Sequence, residues 1–245
     1  MKFSTVLALA SLASVAAAFP TLQESKSDLE VRDVEANDID ARDIEARQRN
    51  GRIGSTANEF TNGGCKDVIM FFARGSTETG NMGTICGPQT ANAVKANFQS
   101  MAVEGVEYAA GLATNTLPGG CDPVGVSEMK RLIGEANANC PNSKLVVGGY
   151  SQGAACTHRA VEDLPEAQKD QIVAAFMFGD TQKQQSGGQI QDFPADKTNI
   201  ICARGDAVCR GTLTILPAHL SYGSRANEMA DFITQKLTAA GAKRK

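Results

Sequence analysis

The sequence predicts an α/β layer fold built on a mainly parallel sheet. Three observations carry that expectation. Short apolar runs of strand length alternate with amphipathic stretches of helix length through residues 67–239. The first run, Asp67-Val68-Ile69-Met70-Phe71-Phe72-Ala73, is apolar without alternation, as in a strand covered on both faces. Gly-containing segments such as Arg74-Gly75-Ser76 and Gly149-Tyr150-Ser151 follow the strand ends, where sheets of this kind place their sites.

Taken in order, residues 67–73 form the first strand and roughly 88–101 a helix. Val106-Glu107-Tyr108-Ala109-Ala110 is the second strand candidate. Val126 to Ala138 reads as a helix, because Met129, Leu132, Ile133 and Ala136 share one stripe. Lys144 to Gly149 is a third strand and 152–162 the next helix. Ile172 to Phe178 and Asn199 to Cys202 are two more strands, and a last helix spans about 225–239.

The N-terminal end differs from this body. Met1-Lys2, an apolar stretch from Phe3 to Leu12 and the small residues Ala16-Ala17-Ala18 make a secretory signal peptide over residues 1–18. Residues 19–49 carry nine acids and five bases with few large apolar side chains, so they do not build a core. They read as a pro-peptide, with Glu45-Ala46-Arg47-Gln48-Arg49 offering basic cleavage points. Residues 50–245 hold 18 acids and 18 bases and are long enough for one domain with a full core. Overall, 42% hydrophobic and 21% charged residues exclude a wholly disordered or collagen-like chain. A net charge of −3 leaves no basic footprint for nucleic acid. No apolar run in the body is long enough for integral membrane contact.

Export implies an oxidising compartment, where Cys residues pair. Seven Cys leave at least one thiol over. Cys156 lies in the helix-like Ala154-Ala155-Cys156-Thr157 and is the expected buried free thiol. The other six allow 15 pairings, among which spacing does not choose.

One motif stands out. Gly149-Tyr150-Ser151-Gln152-Gly153 fits G-x-S-x-G, with a strand before it and a helix after it. Such an elbow strains the Ser backbone and projects its hydroxyl at the positive end of the following helix. A Ser hydroxyl needs a base, and the chain holds two His. His158, seven residues on along the same helix, is about 10 Å away along the axis and fits a surface or packing role. His219, in Leu216-Pro217-Ala218-His219-Leu220, is therefore the base. Its carboxylate lies between Ser and His in this order of residues. Asp206, held between Cys202 and Cys209, is the first choice, and Asp180, directly after a strand, the second. The oxyanion hole takes the Gln152 backbone N–H and Ser76 from the loop after the first strand.

Ala73-Arg74-Gly75-Ser76-Thr77-Glu78, Gly149-Tyr150-Ser151-Gln152-Gly153-Ala154 and Pro217-Ala218-His219-Leu220 together resemble the fungal cutinases. The resemblance runs from about Cys65 to the final helix and includes Asn115-Thr116-Leu117-Pro118 and the Cys202 to Cys209 segment. It implies a three-layer α/β-hydrolase with a central five-stranded sheet and no large lid. It implies a secreted, cofactor-free, monomeric esterase without a metal, acting on the polyester cutin and on short-chain esters. By resemblance, Ser151, Asp206 and His219 are the triad, Ser76 and Gln152 the oxyanion hole, and Asn115 the residue that steadies Ser76. By resemblance too, Cys65 pairs with Cys140 and Cys202 with Cys209, and Cys86 with Cys121 as a third bridge found in some relatives. The proline usual before the His is Ala218 here, with Pro217 one place earlier, and Leu216 is bulkier than expected.

In the expected mechanism His219 deprotonates Ser151 as it attacks the ester, and water later releases the acyl-enzyme. Activity falls in acid as the imidazole protonates, around or below about pH 6.5. Leu117, Leu213, Ile215 and Leu220, with Thr77 and Tyr150, form an apolar substrate rim suited to an insoluble polyester or lipid ester. An acetylxylan esterase or a small lidless lipase of the same fold is the alternative. A catalytically inert surface protein is a third reading, opposed by the intact Ser, Asp and His.

Overall fold

A computed structural model describes residues 51–245. The expected signal peptide and pro-peptide lie outside the described residues. Five strands form one sheet: β1 (Val68–Ala73), β2 (Met101–Gly105), β3 (Lys144–Tyr150), β4 (Ile172–Phe178) and β5 (Thr198–Ile201). Their order is β2-β1-β3-β4-β5 and every pairing is parallel. The helices are α1 (Glu59–Gly63), α2 (Gly87–Lys95), α3 (Pro123–Asn139), α4 (Gln152–Glu162), α5 (Glu166–Gln171) and α6 (Ala226–Ala239).

Every residue of β1 is buried, as its unbroken apolar run requires. Its side chains alternate between two cores. Ile69 and Phe71 pack with Met129, Leu132 and Ile133 of α3 and with Ala154 and Ala155 of α4. Met70 and Phe72 pack on the other face with Val94 of α2 and Met229 and Ile233 of α6. The chain leaves β1 toward one edge and β3 toward the other. This switch point, at the carboxyl ends of the strands, is where such sheets open a crevice.

The second strand lies earlier than its pattern suggested, at Met101–Gly105 rather than 106–110, and α2 stops at Lys95. The reason is tertiary. Glu104 looks wrong for a buried strand, but it accepts hydrogen bonds from the Phe60 and Thr61 N–H groups and the Thr61 hydroxyl. Glu59 accepts from the Val103 N–H, so the edge strand is capped by α1. Tyr108 is buried beyond the strand, and its hydroxyl donates to the Arg74 carbonyl.

Three disulfides are present: Cys65–Cys140, Cys202–Cys209 and Cys121–Cys156. Cys86 is the buried free thiol. The expected Cys86–Cys121 bridge and free Cys156 are therefore both corrected. The sheet itself explains the change: Cys86 lies in the core on one face, Cys121 and Cys156 in the core on the other. Gly125 keeps the packing tight here, since a Cβ on it would come within 2.9 Å of the Tyr108 ring and 3.2 Å of the Cys156 sulfur.

Candidate functional site

The site forms where β3 turns into α4. Ser151 has φ 54° and ψ −116°, outside the conformations an L-residue prefers. Surrounding contacts hold it there: its N–H donates to the Phe178 carbonyl at 2.9 Å. The flanking glycines are sterically required. A Cβ on Gly149 would sit 2.2 Å from the Gly153 carbonyl oxygen, and one on Gly153 would sit 2.0 Å from that of Ala73. The strand–elbow–helix can close only without those side chains. Ser151 then stands at the amino end of α4, toward the positive pole of its dipole.

The structure brings Ser151, His219 and Asp206 together. Ser151 Oγ is 2.9 Å from His219 Nε2, and His219 Nδ1 is 2.9 Å from Asp206 Oδ2. The carboxylate accepts a hydrogen bond from Nδ1–H, which keeps the proton on Nδ1 and leaves Nε2 free to accept from the serine hydroxyl. Asp206 Oδ1 accepts from the Val208 N–H at 2.9 Å. The Cys202–Cys209 bridge closes the loop that carries it. Asp180 is not part of this chain of bonds; it pairs with His158 instead, and His158 is fully buried rather than at the surface.

Two tyrosines complete the cluster. The Tyr222 hydroxyl donates to Asp206 Oδ2 at 2.5 Å and accepts from the Ala203 N–H. Burial, and then the bond to Asp206, pushes its phenol pKa above the ordinary tyrosine range, so it stays a donor. Nothing in the sequence pattern pointed to Tyr222; its spacing of three from His219 gains meaning only once two successive 3₁₀ turns fold it back. Tyr150 is buried, its ring borders the cleft, and its hydroxyl donates to the His219 carbonyl at 2.8 Å. It holds the His219 turn as well as bordering the substrate space.

Across the cleft, Ser76 Oγ accepts from Asn115 Nδ2 at 2.9 Å, so the Ser76 hydroxyl proton is free for another acceptor. Asn115 sits on a 3₁₀ turn, Leu112–Thr116, tied to α4 by the Gln152 side chain, whose Nε2 donates to the Gly111 carbonyl and the Thr114 hydroxyl. Glu78, which the motif reading passed over, organises the loop beneath Ser76. Its carboxylate accepts from the Gly75, Thr84 and Ile85 N–H groups. Arg74 is buried and donates to the Glu78 and Tyr108 carbonyls.

The cleft holds about 360 Å³. Ser76, Thr77, Tyr150, Ser151, His219, Leu213, Ile215 and Leu220 all line it. Leu117 is exposed but does not line it; Leu112 does. In a 3₁₀ turn residues i and i+3 eclipse, so Leu112 shares the cleft side with Asn115, whereas Leu117 lies beyond the turn in extended backbone. Thr181 and Val208 line the cleft too, a role that no local signal announced. Among the described residues, no group of three or more His, Cys, Asp or Glu side chains gathers where a metal ion could be held. No helix among them is long and apolar enough to cross a membrane.

Comparison with known proteins gives a consistent result. The cutinase family model matches residues 64–237. Cutinase CUT2 of Pyricularia oryzae is 46% identical over 97% of this chain and 100% of its own length. Cutinase 2 of Fusarium vanettenii is 40% identical over 98% of both chains. The structure of Trichoderma reesei cutinase in complex with a phosphonate inhibitor is 34% identical, with a TM-score of 0.68 over 79% of this chain and 84% of that one. An acetylxylan esterase structure shares the fold, with a TM-score of 0.58 at 21% identity over 71% of this chain and 99% of that one.

Proposed function

The chain belongs to the cutinase family, and on that premise we propose that it hydrolyses the ester bonds of cutin and of short-chain esters through Ser151, His219 and Asp206. The observation that carries this reading is the unbroken line of hydrogen bonds from Ser151 Oγ through His219 to Asp206, at the floor of an apolar cleft. His219 accepts the Ser151 proton as the oxygen attacks the ester carbonyl. Asp206 stabilises the imidazolium that forms. The Ser76 hydroxyl and the Gln152 N–H stabilise the oxyanion, each donor contributing about 3–4 kcal/mol. The imidazolium then protonates the leaving alcohol. Water, deprotonated by the same imidazole, attacks the acyl-enzyme and releases the acid. The enzyme is a carboxylic ester hydrolase that works outside the cell, a setting with which three disulfides agree.

The decisive experiment replaces Ser151 with Ala and follows p-nitrophenyl butyrate. Turnover is expected to drop by about 10⁴-fold or more. Wild-type turnover in that variant would refute the triad. Release of hydroxy fatty acids from purified cutin, set against acetate release from acetylated xylan, assigns the substrate.

A further inference from the structure

A second buried His–Asp pair stands beside the first. His158 Nε2 lies 2.9 Å from Asp180 Oδ2, and both side chains are fully enclosed. Asp180 Oδ1 accepts from the Gln182 N–H at 2.8 Å. The other ring nitrogen of His158, Nδ1, is buried without a partner. Apolar side chains of similar volume often stabilise a fold as well as such a pair or better. The informative feature is therefore what the pair connects.

It connects two elements that must stay in register. His158 rides α4, the helix that opens immediately after Ser151. Asp180 belongs to the turn after β4, between Gly179 and Thr181. Gly179, at φ 52°, lies so close beneath the His219 ring that a Cβ there would sit 2.8 Å from Cε1 and 3.0 Å from Nδ1. Thr181 lines the cleft. One bond thus joins the helix led by the nucleophile to the turn that backs the base. We propose that His158 and Asp180 are positioning residues, which hold Ser151 and His219 at reacting distance without touching the reacting atoms. This inference rests on the triad reading above. A misplacement of about 1 Å between reacting groups can cost on the order of a hundredfold in rate.

Four single variants separate the bond from the residues. Asp180→Asn and His158→Gln keep a hydrogen-bonding partner, whereas Asp180→Ala and His158→Leu remove it. For each, kcat and KM on p-nitrophenyl butyrate are measured per active serine, counted by titration with a p-nitrophenyl phosphonate. The bond-keeping variants are expected to stay near the wild-type kcat. The bond-removing variants are expected to lose about 10- to 100-fold in kcat per titrated serine, with KM little changed. Wild-type kcat per titrated serine in both bond-removing variants would overturn the proposal. So would equal losses in all four, since the bond would then not be the operative feature. Failure of both bond-removing variants to yield titratable protein would also overturn it, because the pair would then serve folding alone. A wild-type chain that is not modified at Ser151 would instead sink the triad reading, which keeps the two failures apart.

Discussion

Asp206 receives hydrogen bonds from the Val208 N–H, His219 Nδ1 and the Tyr222 hydroxyl. The first two follow from a short closed loop and from the pairing of Asp206 with His219. The third tunes the others: a phenol on the same oxygen as the imidazole shares the carboxylate's charge. Tyr222→Phe removes that donor and with it a hydrogen bond to a charged acceptor. The loss is expected to cost about 1.5–3 kcal/mol of stability, read as a lower Tm. An unchanged Tm would show that Tyr222 only packs. Ser151, Asp206 and His219 were readable because a G-x-S-x-G elbow, two His and the order Ser, Asp, His leave few choices. Tyr222 and Glu78 were not, because their partners lie on backbone atoms and loops that only folding brings near.

At the scale of elements, two of the disulfides do different work. Cys121–Cys156 spans 35 residues and joins the start of α3 to α4. Cys202–Cys209 spans seven and encloses Asp206. Chain entropy grows with the logarithm of the loop, so the longer bridge contributes more to stability. Cys121→Ser with Cys156→Ser is expected to cost about 2–5 kcal/mol, read as a lower Tm, with kcat per titrated serine little changed. Cys202→Ser with Cys209→Ser is expected to lower kcat more and stability less. A reversed order of effects would remove the positioning role given to the short loop. The strand at Met101–Gly105 was misplaced from sequence because Glu104 can be buried only where the distant α1 supplies its donors. By contrast Gly149 and Gly153 stand in the G-x-S-x-G motif itself, and the structure supplies the contacts that require them.

Across the described residues, two cores sandwich one sheet, and the cleft opens at its carboxyl edge. Leu213, Ile215 and Leu220 stand more than half exposed at the cleft mouth, a placement that suits contact with a solid or lipid ester. Leu213→Asp with Leu220→Asp is expected to reduce adsorption and turnover on solid polyester severalfold, while p-nitrophenyl acetate turnover in solution changes little. Equal losses on both substrates would assign these leucines to the site rather than to the surface it meets. The layer class, the elbow and the residues able to form a triad were legible in the chain, because alternating apolar runs and a strand–turn–helix motif are local properties. Which cysteines pair, what His158 and Asp180 join, and which leucine lines the cleft emerged on folding. Those outcomes depend on which face of the sheet a side chain occupies and which distant backbone atoms meet it, quantities that no local window of sequence contains.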